Sequence, residues 1–157
     1  MDLAAWLARF GSVFEHSPWV AEGAWRERPY ADVDELHKAM MRVVESAPRE
    51  KKLALVRAHP ELAGGESLTV DSTSEQGRLG FHRLSRPELE RMQRLNRAYR
   101  DKFGFPCIVA LRLHANRDSV MREMERRLGN NVDAELAAAL EQIGHITRGR
   151  LEKILNG

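Results

Sequence analysis

Residues 133–154, DAELAAALEQIGHITRGRLEKI, carry a long periodic pattern of apolar side chains. Apolar side chains recur in it every three or four positions, at Leu136, Leu140, Ile143, Ile146, Leu151 and Ile154. This spacing places them along one face of an α-helix, and Asp133 is a residue type that opens helices. The sequence therefore predicts a long final helix whose apolar face must be covered by other helices.

The N-terminal third carries the same periodic signal. Apolar side chains at helical spacing run from Leu3 to Phe14, until Ser17-Pro18 stops the pattern. A short segment, Trp19 to Trp25, follows. Asp32, with Glu35 three residues later, then predicts the N-cap of a further helix.

The middle of the chain begins with Pro48, which suits the first turn of a helix. That helix should end near His59, because a proline at position 60 disfavours helical geometry in the residue before it. The glycines, Ser67, Thr69 and Asp71 make residues 60–71 an irregular loop. Ser72-Thr73-Ser74-Glu75 then has the spacing of a capping box, in which the first side chain caps a helix and the glutamate reaches back.

A second capping box, Ser85 to Glu88, opens a helix that should stop at Gly104. Cys107 to Leu111 is a β-prone run without an obvious strand partner, so we expect it to be buried and either extended or helical. Asp118 is expected to cap a helix that ends at Gly129. Residues 1–157 are thus predicted to form one domain, an all-α, compact helical bundle of about seven helices.

Composition excludes several classes of protein. Apolar residues make up 43% of the 157 residues and charged residues 31%, which suits a globular chain rather than a disordered one. The net charge is +2, and arginines alternate with glutamates, so a strong nucleic-acid footprint is absent from the pattern. No run approaches the ~20 apolar residues that span a bilayer, and the first residues lack the basic start of a secretory signal. We therefore expect a cytoplasmic location.

Metal-ligand patterns are also missing from the sequence. Cys107 is the single cysteine, and the six histidines include no pair at the i, i+4 spacing of a helical zinc site. We expect no metal.

Two residues stand where chemistry is possible but also where a helix end explains them. His59 lies at a predicted helix C-terminus, which favours the charged imidazole of a proton donor and equally suits a histidine that caps the last carbonyls. Glu75 is explained by the capping box alone. The backbone N–H groups at the start of that helix nevertheless predict an anion site over Ser72–Gln76.

Arginines form two further candidate sets. Arg91, Arg94, Arg97 and Arg100 repeat along one helix, either as a nucleic-acid contact or as a solvated face diluted by nearby acids. Arg148 and Arg150 lie in the apolar final helix, so one of them can point inward toward an anion, although both also suit surface charge near a helix C-terminus.

Four ordered motifs resemble those of the OHCU decarboxylase family, whose substrate is 2-oxo-4-hydroxy-4-carboxy-5-ureidoimidazoline (OHCU). They are HPELA at 59–63, STSEQ at 72–76, FGFPCIV at 103–109 and ITRGRL at 146–151. The resemblance covers nearly the whole chain. It implies an all-α fold, usually a homodimer, that converts OHCU to (S)-allantoin and carbon dioxide without a cofactor.

The same resemblance implies roles for individual residues. His59 corresponds to the catalytic acid, and Glu75 is expected to join it by holding ureido or ring N–H groups. The expected substrate contacts are Pro60, Ser72, Thr73, Ser74, Glu75, Gln76, Cys107, Ile108, Val109, Ala110, Leu111 and Arg150. Cys107 to Leu111 would act through backbone groups, and Arg150 would complement the anion. Apart from this small molecule and a second copy of the chain, no partner is expected, neither nucleic acid nor a membrane.

Two departures from the family pattern accompany the resemblance. Phe105-Pro106-Cys107 stands where the family commonly has Phe-Pro-Phe, and the loop between His59 and Ser72 is short compared with many members. The first change shrinks a side chain but keeps the backbone groups of the segment.

Overall fold

The protein is described by a computed structural model over residues 1–64 and 68–156. Within these residues the chain forms eight α-helices and no strand, which confirms the all-α prediction. The helices are α1 (Leu3–Phe10), α2 (Trp19–Trp25), α3 (Val33–Glu45), α4 (Arg49–Arg57), α5 (Val70–Arg78), α6 (Arg86–Phe103), α7 (Arg117–Arg127) and α8 (Val132–Asn156). Single 3-10 turns lie at Phe81–Arg83 and Leu111–Leu113.

The chain divides into two compact units, and helix α8 continues from one into the other. The N-terminal unit comprises Met1–Ala58 and the chain from Gly144 onward, whereas the central unit comprises His59–Ile143. That residues 1–157 form one domain stays a prediction.

In the N-terminal unit, helices α1, α2 and α3 pack in sequence. The indole N–H of Trp6 donates to the carbonyl oxygen of Ala21 at 2.9 Å, which ties α1 to α2. Helix α1 is shorter than predicted, because it ends at Phe10 and Gly11 N–H closes its last turn on the Leu7 carbonyl. Phe14 is buried all the same, in the turns that follow the helix.

The central unit contains α5, α6, α7 and the first half of α8, with α6 packed against α7. The second capping box is confirmed, since the Ser85 hydroxyl accepts from Glu88 N–H and the Glu88 carboxylate accepts from Ser85 N–H. Helix α6 ends as predicted, with Gly104 in the left-handed region at φ 78°. A glycine adopts this conformation without the strain that a Cβ adds.

Three predicted helix starts are wrong by one to three residues. Helix α5 begins at Val70, where Thr69 is the N-cap, instead of at Ser72. Asn116 caps α7 instead of Asp118. Helix α8 begins at Val132, and Asn131 accepts from Ala134 N–H. In each case an acceptor side chain a few residues earlier satisfies the first free N–H groups.

Candidate active site

The segment that carries His59 follows helix α4 directly. The helix ends at Arg57 with Ala58 as its C-cap, which confirms the predicted stop before Pro60. The His59 side chain is buried, with 7% of the residue exposed, and its Nε2 atom is shielded from solvent. The Nε2 atom of His59 is therefore not in contact with bulk water.

Three side chains from helices α5 and α6 hold the residues after His59. Arg100 Nη1 donates to Glu61 Oε1 at 2.6 Å, and Asn96 Nδ2 donates to the Leu62 carbonyl at 2.9 Å. Ala63 N–H donates to Gln76 Oε1 at 3.1 Å. The segment lacks regular structure, so these side chains fix its path in place of a backbone ladder. Residues 65–67 of the predicted loop, which include Gly65 and Ser67, lie outside the described residues.

Helix α5 presents the second motif as a helix face rather than as a helix start. Ser72 and Gln76 are buried and Glu75 is half-buried, whereas Thr73 and Ser74 are exposed. Positions i, i+3 and i+4 share one side of a helix, so Ser72, Glu75 and Gln76 point the same way. Three of the five predicted contact residues are therefore on one face.

The predicted capping box at Ser72 and the anion site built on its N–H groups are both wrong. Ser72 N–H donates to Thr69 Oγ1 at 3.2 Å, and Thr73 N–H donates to the Thr69 carbonyl at 2.9 Å. The helix has thus already used these donors. Glu75 stands in the second turn of α5, so the capping explanation of this glutamate is also excluded.

A cavity of about 520 Å³ lies beside this helix. Residues that line it include Ala63, Thr73, Gln76, Phe81, Leu84 and Leu89. Because Gln76 Oε1 accepts from Ala63, the N–H₂ end of its amide is the end left to donate elsewhere. The cavity therefore combines apolar walls with an oriented amide, a composition typical of small-molecule sites.

The segment Cys107–Leu111 is buried throughout and contains neither helix nor strand before the 3-10 turn that begins at Leu111. This confirms the prediction of a buried segment, and the backbone of Ala110 is extended. Burial raises the pKa of Cys107 to about 12, so its thiol is neutral at physiological pH. The arrangement leaves the backbone, rather than the thiol, as the chemically useful part of the segment.

Side chains again hold this irregular segment. Arg127 Nη1 donates to the Ile108 carbonyl, and Ala110 N–H donates to Gln142 Oε1 at 2.9 Å. Arg78, the last residue of α5, donates to the Leu111 carbonyl. Helix α5 therefore contacts both irregular segments, through Gln76 at one and Arg78 at the other.

Arg127 and Glu135 form a buried ion pair that the sequence-based prediction missed. Arg127 is 1% exposed and Glu135 is 0% exposed, and Nε lies 2.8 Å from Oε1. A signal was available, because Arg127 continues the apolar repeat of Val120 and Met124 at i+7 and i+3. A charged residue at a core position of a helix calls for a buried partner.

Arg150 and Arg148 differ as predicted in exposure, at 3% and 30% of the side chain. In the N-terminal unit, Arg150 Nη2 lies 2.8 Å from Glu15 Oε1, and Nη1 donates to the Val13 carbonyl at 3.1 Å. Arg148 pairs with Asp34 and Glu152 nearer the surface. The buried arginine thus has a carboxylate beside it already, which reduces its attraction for a further anion.

The arginine stripe on α6 is partly neutralised. Arg91 contacts Asp118 and Glu125, at 2.9 and 2.8 Å, and Arg100 contacts Glu61. Arg94 and Arg97 are exposed. This pattern matches a solvated helix face that neighbouring acids balance.

Two other kinds of feature are absent from the described residues. No group of three His, Cys, Asp or Glu side chains is arranged to hold a metal ion. In the same part of the chain, no helix is both long and apolar enough to cross a membrane.

The described residues form an all-helical protein whose central unit contains a buried histidine, His59, and a cavity that Gln76 lines but His59 and Glu75 do not. The family model for OHCU decarboxylase matches residues 1–152, and the chain belongs to that family. A 2-oxo-4-hydroxy-4-carboxy-5-ureidoimidazoline decarboxylase of Haloferax volcanii is 43% identical over 151 residues, which cover 96% of this chain and 89% of that protein. A protein of the same name from Mus musculus is 34% identical, over 99% of this chain and 89% of its own length.

A crystal structure of (S)-allantoin synthase superimposes with a TM-score of 0.79 at 30% identity. The match covers 98% of this chain and 51% of the synthase chain, so this chain spans about half of that protein.

Proposed function

We propose that this chain decarboxylates OHCU to (S)-allantoin and carbon dioxide in uric acid degradation, as a carbon–carbon lyase. The observation that carries the proposal is the family match over residues 1–152. The geometry supports it, because three of the four motifs lie in the central unit. Helix α5, which carries the second motif, contacts the first at Ala63 and also contacts Leu111, two residues after the third. The non-catalytic binding module built on the α6 arginines is disfavoured by the acids that balance them.

The substrate supplies the electron sink for this reaction. The carbon that bears the carboxylate in OHCU is bonded to the carbon of a ring C=N. When the bond to carbon dioxide breaks, its electron pair forms a new C=C bond, and the C=N pair moves onto the nitrogen, which takes a proton. The resulting enol ketonises when a proton reaches the carbon that bears the ureido group. The protein has to orient the carboxylate, move protons and select one face.

His59 is the proposed acid that hydrogen-bonds the hydroxyl or carboxylate region and shuttles the proton. Its support is the burial of the imidazole on a segment fixed by Arg100, Asn96 and Gln76. Pre-organisation of this kind is what proton transfer at a defined position requires.

Glu75 is the proposed acceptor for ureido or ring N–H groups, and Ser72 and Gln76 share its helix face. The Gln76 N–H₂ group complements it as a donor. Thr73 lines the neighbouring cavity, while Ser74 is exposed and has less support as a contact. Pro60 stays in the proposed set as the neighbour of His59.

Cys107 to Leu111 would contact the substrate through the backbone. Ile108, Ala110 and Leu111 each have a backbone group held by a side chain, as described above. For the N–H and C=O of Val109, no hydrogen bond is recorded within residues 1–64 and 68–156. Because buried backbone groups need partners, Val109 is the best-supported substrate contact of the five.

Arg150 remains a proposed contact for the substrate anion, with Glu15 as its resident partner. We also propose a homodimer in the cytoplasm. Val70 and Leu113, which are 87% and 56% exposed, are apolar side chains that a second copy would cover. Sedimentation velocity measures the assembly state directly.

The deciding experiment adds the purified protein to freshly generated OHCU and follows the optical activity of the allantoin formed. Protonation without a chiral catalyst takes place on either face, so the expected result is an excess of the (S) form only with the protein present. A racemic product at every enzyme concentration would reject the function. Activity should also survive exhaustive chelation, and loss that zinc or manganese restores would contradict the cofactor-free mechanism.

A further inference from the structure

The Arg127–Glu135 pair is the centre of a buried polar network in the central unit. Tyr99 O–H donates to Glu135 Oε1 at 2.5 Å, and Asn130 Nδ2 donates to Glu135 Oε2 at 2.7 Å. Burial raises the pKa of the Tyr99 hydroxyl, which therefore keeps the proton that it donates. Glu135 thus accepts from three side chains, and Arg127 is held in one orientation.

The other end of the Arg127 guanidinium reaches the candidate substrate segment. Its Nη1 donates to the carbonyl of Ile108, the residue before Val109, while Gln142 accepts from Ala110 N–H, the residue after it. The backbone around Val109 is therefore fixed on both sides. The direction in which Val109 presents its own N–H and C=O follows from these two contacts.

Stability alone is a poor explanation for this arrangement. Removing two charges from water is costly, and well-packed apolar residues in place of a buried ion pair are often neutral or stabilising. What an ion pair adds is a defined direction, because a guanidinium held by a carboxylate offers its remaining N–H groups at fixed angles. Here one of those groups meets a backbone carbonyl of the proposed site.

We infer that Arg127, oriented by Glu135, is a positioning residue that sets the backbone of Ile108 and Val109 for substrate binding. The inference rests on the proposed function and assigns no contact between Arg127 and the substrate. It adds Arg127 and Glu135, which lie outside all four family motifs, to the residues on which substrate binding depends.

A double variant separates positioning from folding. Arg127→Met alone leaves the Glu135 carboxylate buried without its cation, whereas Arg127→Met with Glu135→Leu removes both charges and keeps the side chains bulky. The double variant also removes the acceptor of the Tyr99 hydroxyl and the Asn130 amide, so we expect a lower melting temperature but a folded protein. Its kcat/KM should fall by about 10- to 100-fold, as misplaced substrate contacts cause. Arg126→Met is the matched control, an exposed neighbour that should keep wild-type kinetics.

Two readouts distinguish positioning from a loss of folded enzyme. A smaller folded fraction lowers the apparent kcat but leaves KM unchanged, because the remaining molecules are intact. It also leaves the product's enantiomeric excess unchanged, provided that enough enzyme is added for the uncatalysed racemic reaction to be negligible. Displacement of the Val109 backbone should instead raise KM and lower the enantiomeric excess. Unchanged KM and enantiomeric excess in the double variant would overturn the inference, whatever happens to kcat.

Arg127→Lys covers the case in which the double variant does not fold. Lysine keeps the charge beside Glu135 but lacks the planar guanidinium that reaches two acceptors at once. We expect a folded protein with a raised KM, and wild-type KM and enantiomeric excess in this variant would overturn the inference as well. Racemic allantoin from the wild-type protein would reject the proposed function itself, and with it the inference, which rests on that function.

Discussion

Helix α5 and the segment Cys107–Leu111 offer a substrate two different kinds of contact. The helix uses its own backbone groups in its ladder, so only side chains can bind, and only those on the face of Ser72, Glu75 and Gln76. The segment Cys107–Leu111 has no ladder, and its backbone is held by Arg127, Gln142 and Arg78 instead.

This difference in backbone hydrogen bonding explains why the anion site predicted at the N–H groups of helix α5 is wrong. The backbone contacts predicted for Cys107–Leu111 stay a proposal. Both motifs were predicted to present N–H groups, yet Thr69 begins α5 early enough to use those of Ser72 and Thr73. An irregular segment can offer its backbone only when side chains fix it. The His59 segment belongs to this second kind, because Asn96 and Gln76 fix its path.

The largest loss of activity is expected for a substitution in the irregular segments that side chains fix. His59→Asn keeps approximate size and polarity but cannot transfer a proton at neutral pH, so kcat should fall by about 100- to 10,000-fold. Circular dichroism and the melting temperature should match the wild type. Near wild-type turnover in a folded His59→Asn protein would leave His59 as a structural residue after helix α4.

Arg150 tests whether a buried arginine outside these segments serves structure or binding. Arg150→Met leaves Glu15 buried without its cation, which should cost about 3 to 5 kcal/mol in the free energy of unfolding. Arg148→Met removes only contacts near the surface and should cost much less. Urea denaturation compares the two variants. At limiting substrate, Arg150→Met should also lose more turnover per folded molecule, and equal loss in both variants would remove Arg150 from the substrate site.

Glu75→Gln tests the helix face. An amide has one acceptor oxygen and turns its N–H₂ toward the substrate's own donors, so a buried group is left unpaired at about 1 to 3 kcal/mol. We expect kcat/KM to fall by at least about 10-fold. Because Glu75 does not cap the helix, the melting temperature of the Glu75→Gln variant should hardly change. Full activity would indicate that backbone carbonyls of the Cys107–Leu111 segment, and not Glu75, accept hydrogen bonds from the substrate's N–H groups.

The smallest effect is expected at Cys107, whose pKa of about 12 keeps the buried thiol neutral in the folded protein. A thiol reagent at pH 8 should modify Cys107 only after urea unfolds the chain, since the thiolate is the reactive form. Rapid modification of the native protein would show that the Cys107–Leu111 segment opens readily. That result would contradict the conclusion that side-chain hydrogen bonds fix this segment. Mass spectrometry with and without urea measures the difference.

Local sequence was enough wherever a hydrogen bond closes within about four residues. Asp32 caps α3, Ser85 and Glu88 form their box, and Gly104 ends α6, all as predicted. A local pattern does not identify the N-cap residue, however, when two acceptor side chains lie a few positions apart. Thr69 and Ser72 are both acceptable caps; in the structure Thr69 caps the helix and Ser72 is buried.

The sequence by itself determined the all-helical class, several helix ends and the motifs that define the family, because periodicity, caps and ordered motifs are properties of neighbouring residues. Tertiary structure alone decided which side chains fix the irregular segments. Asn96 meets Leu62 across 34 positions, and Arg127 meets Ile108 across 19. No local pattern encodes such partners, since each is chosen by the packing of whole helices, which brings a buried donor to the carbonyl left unsatisfied by a segment without regular structure.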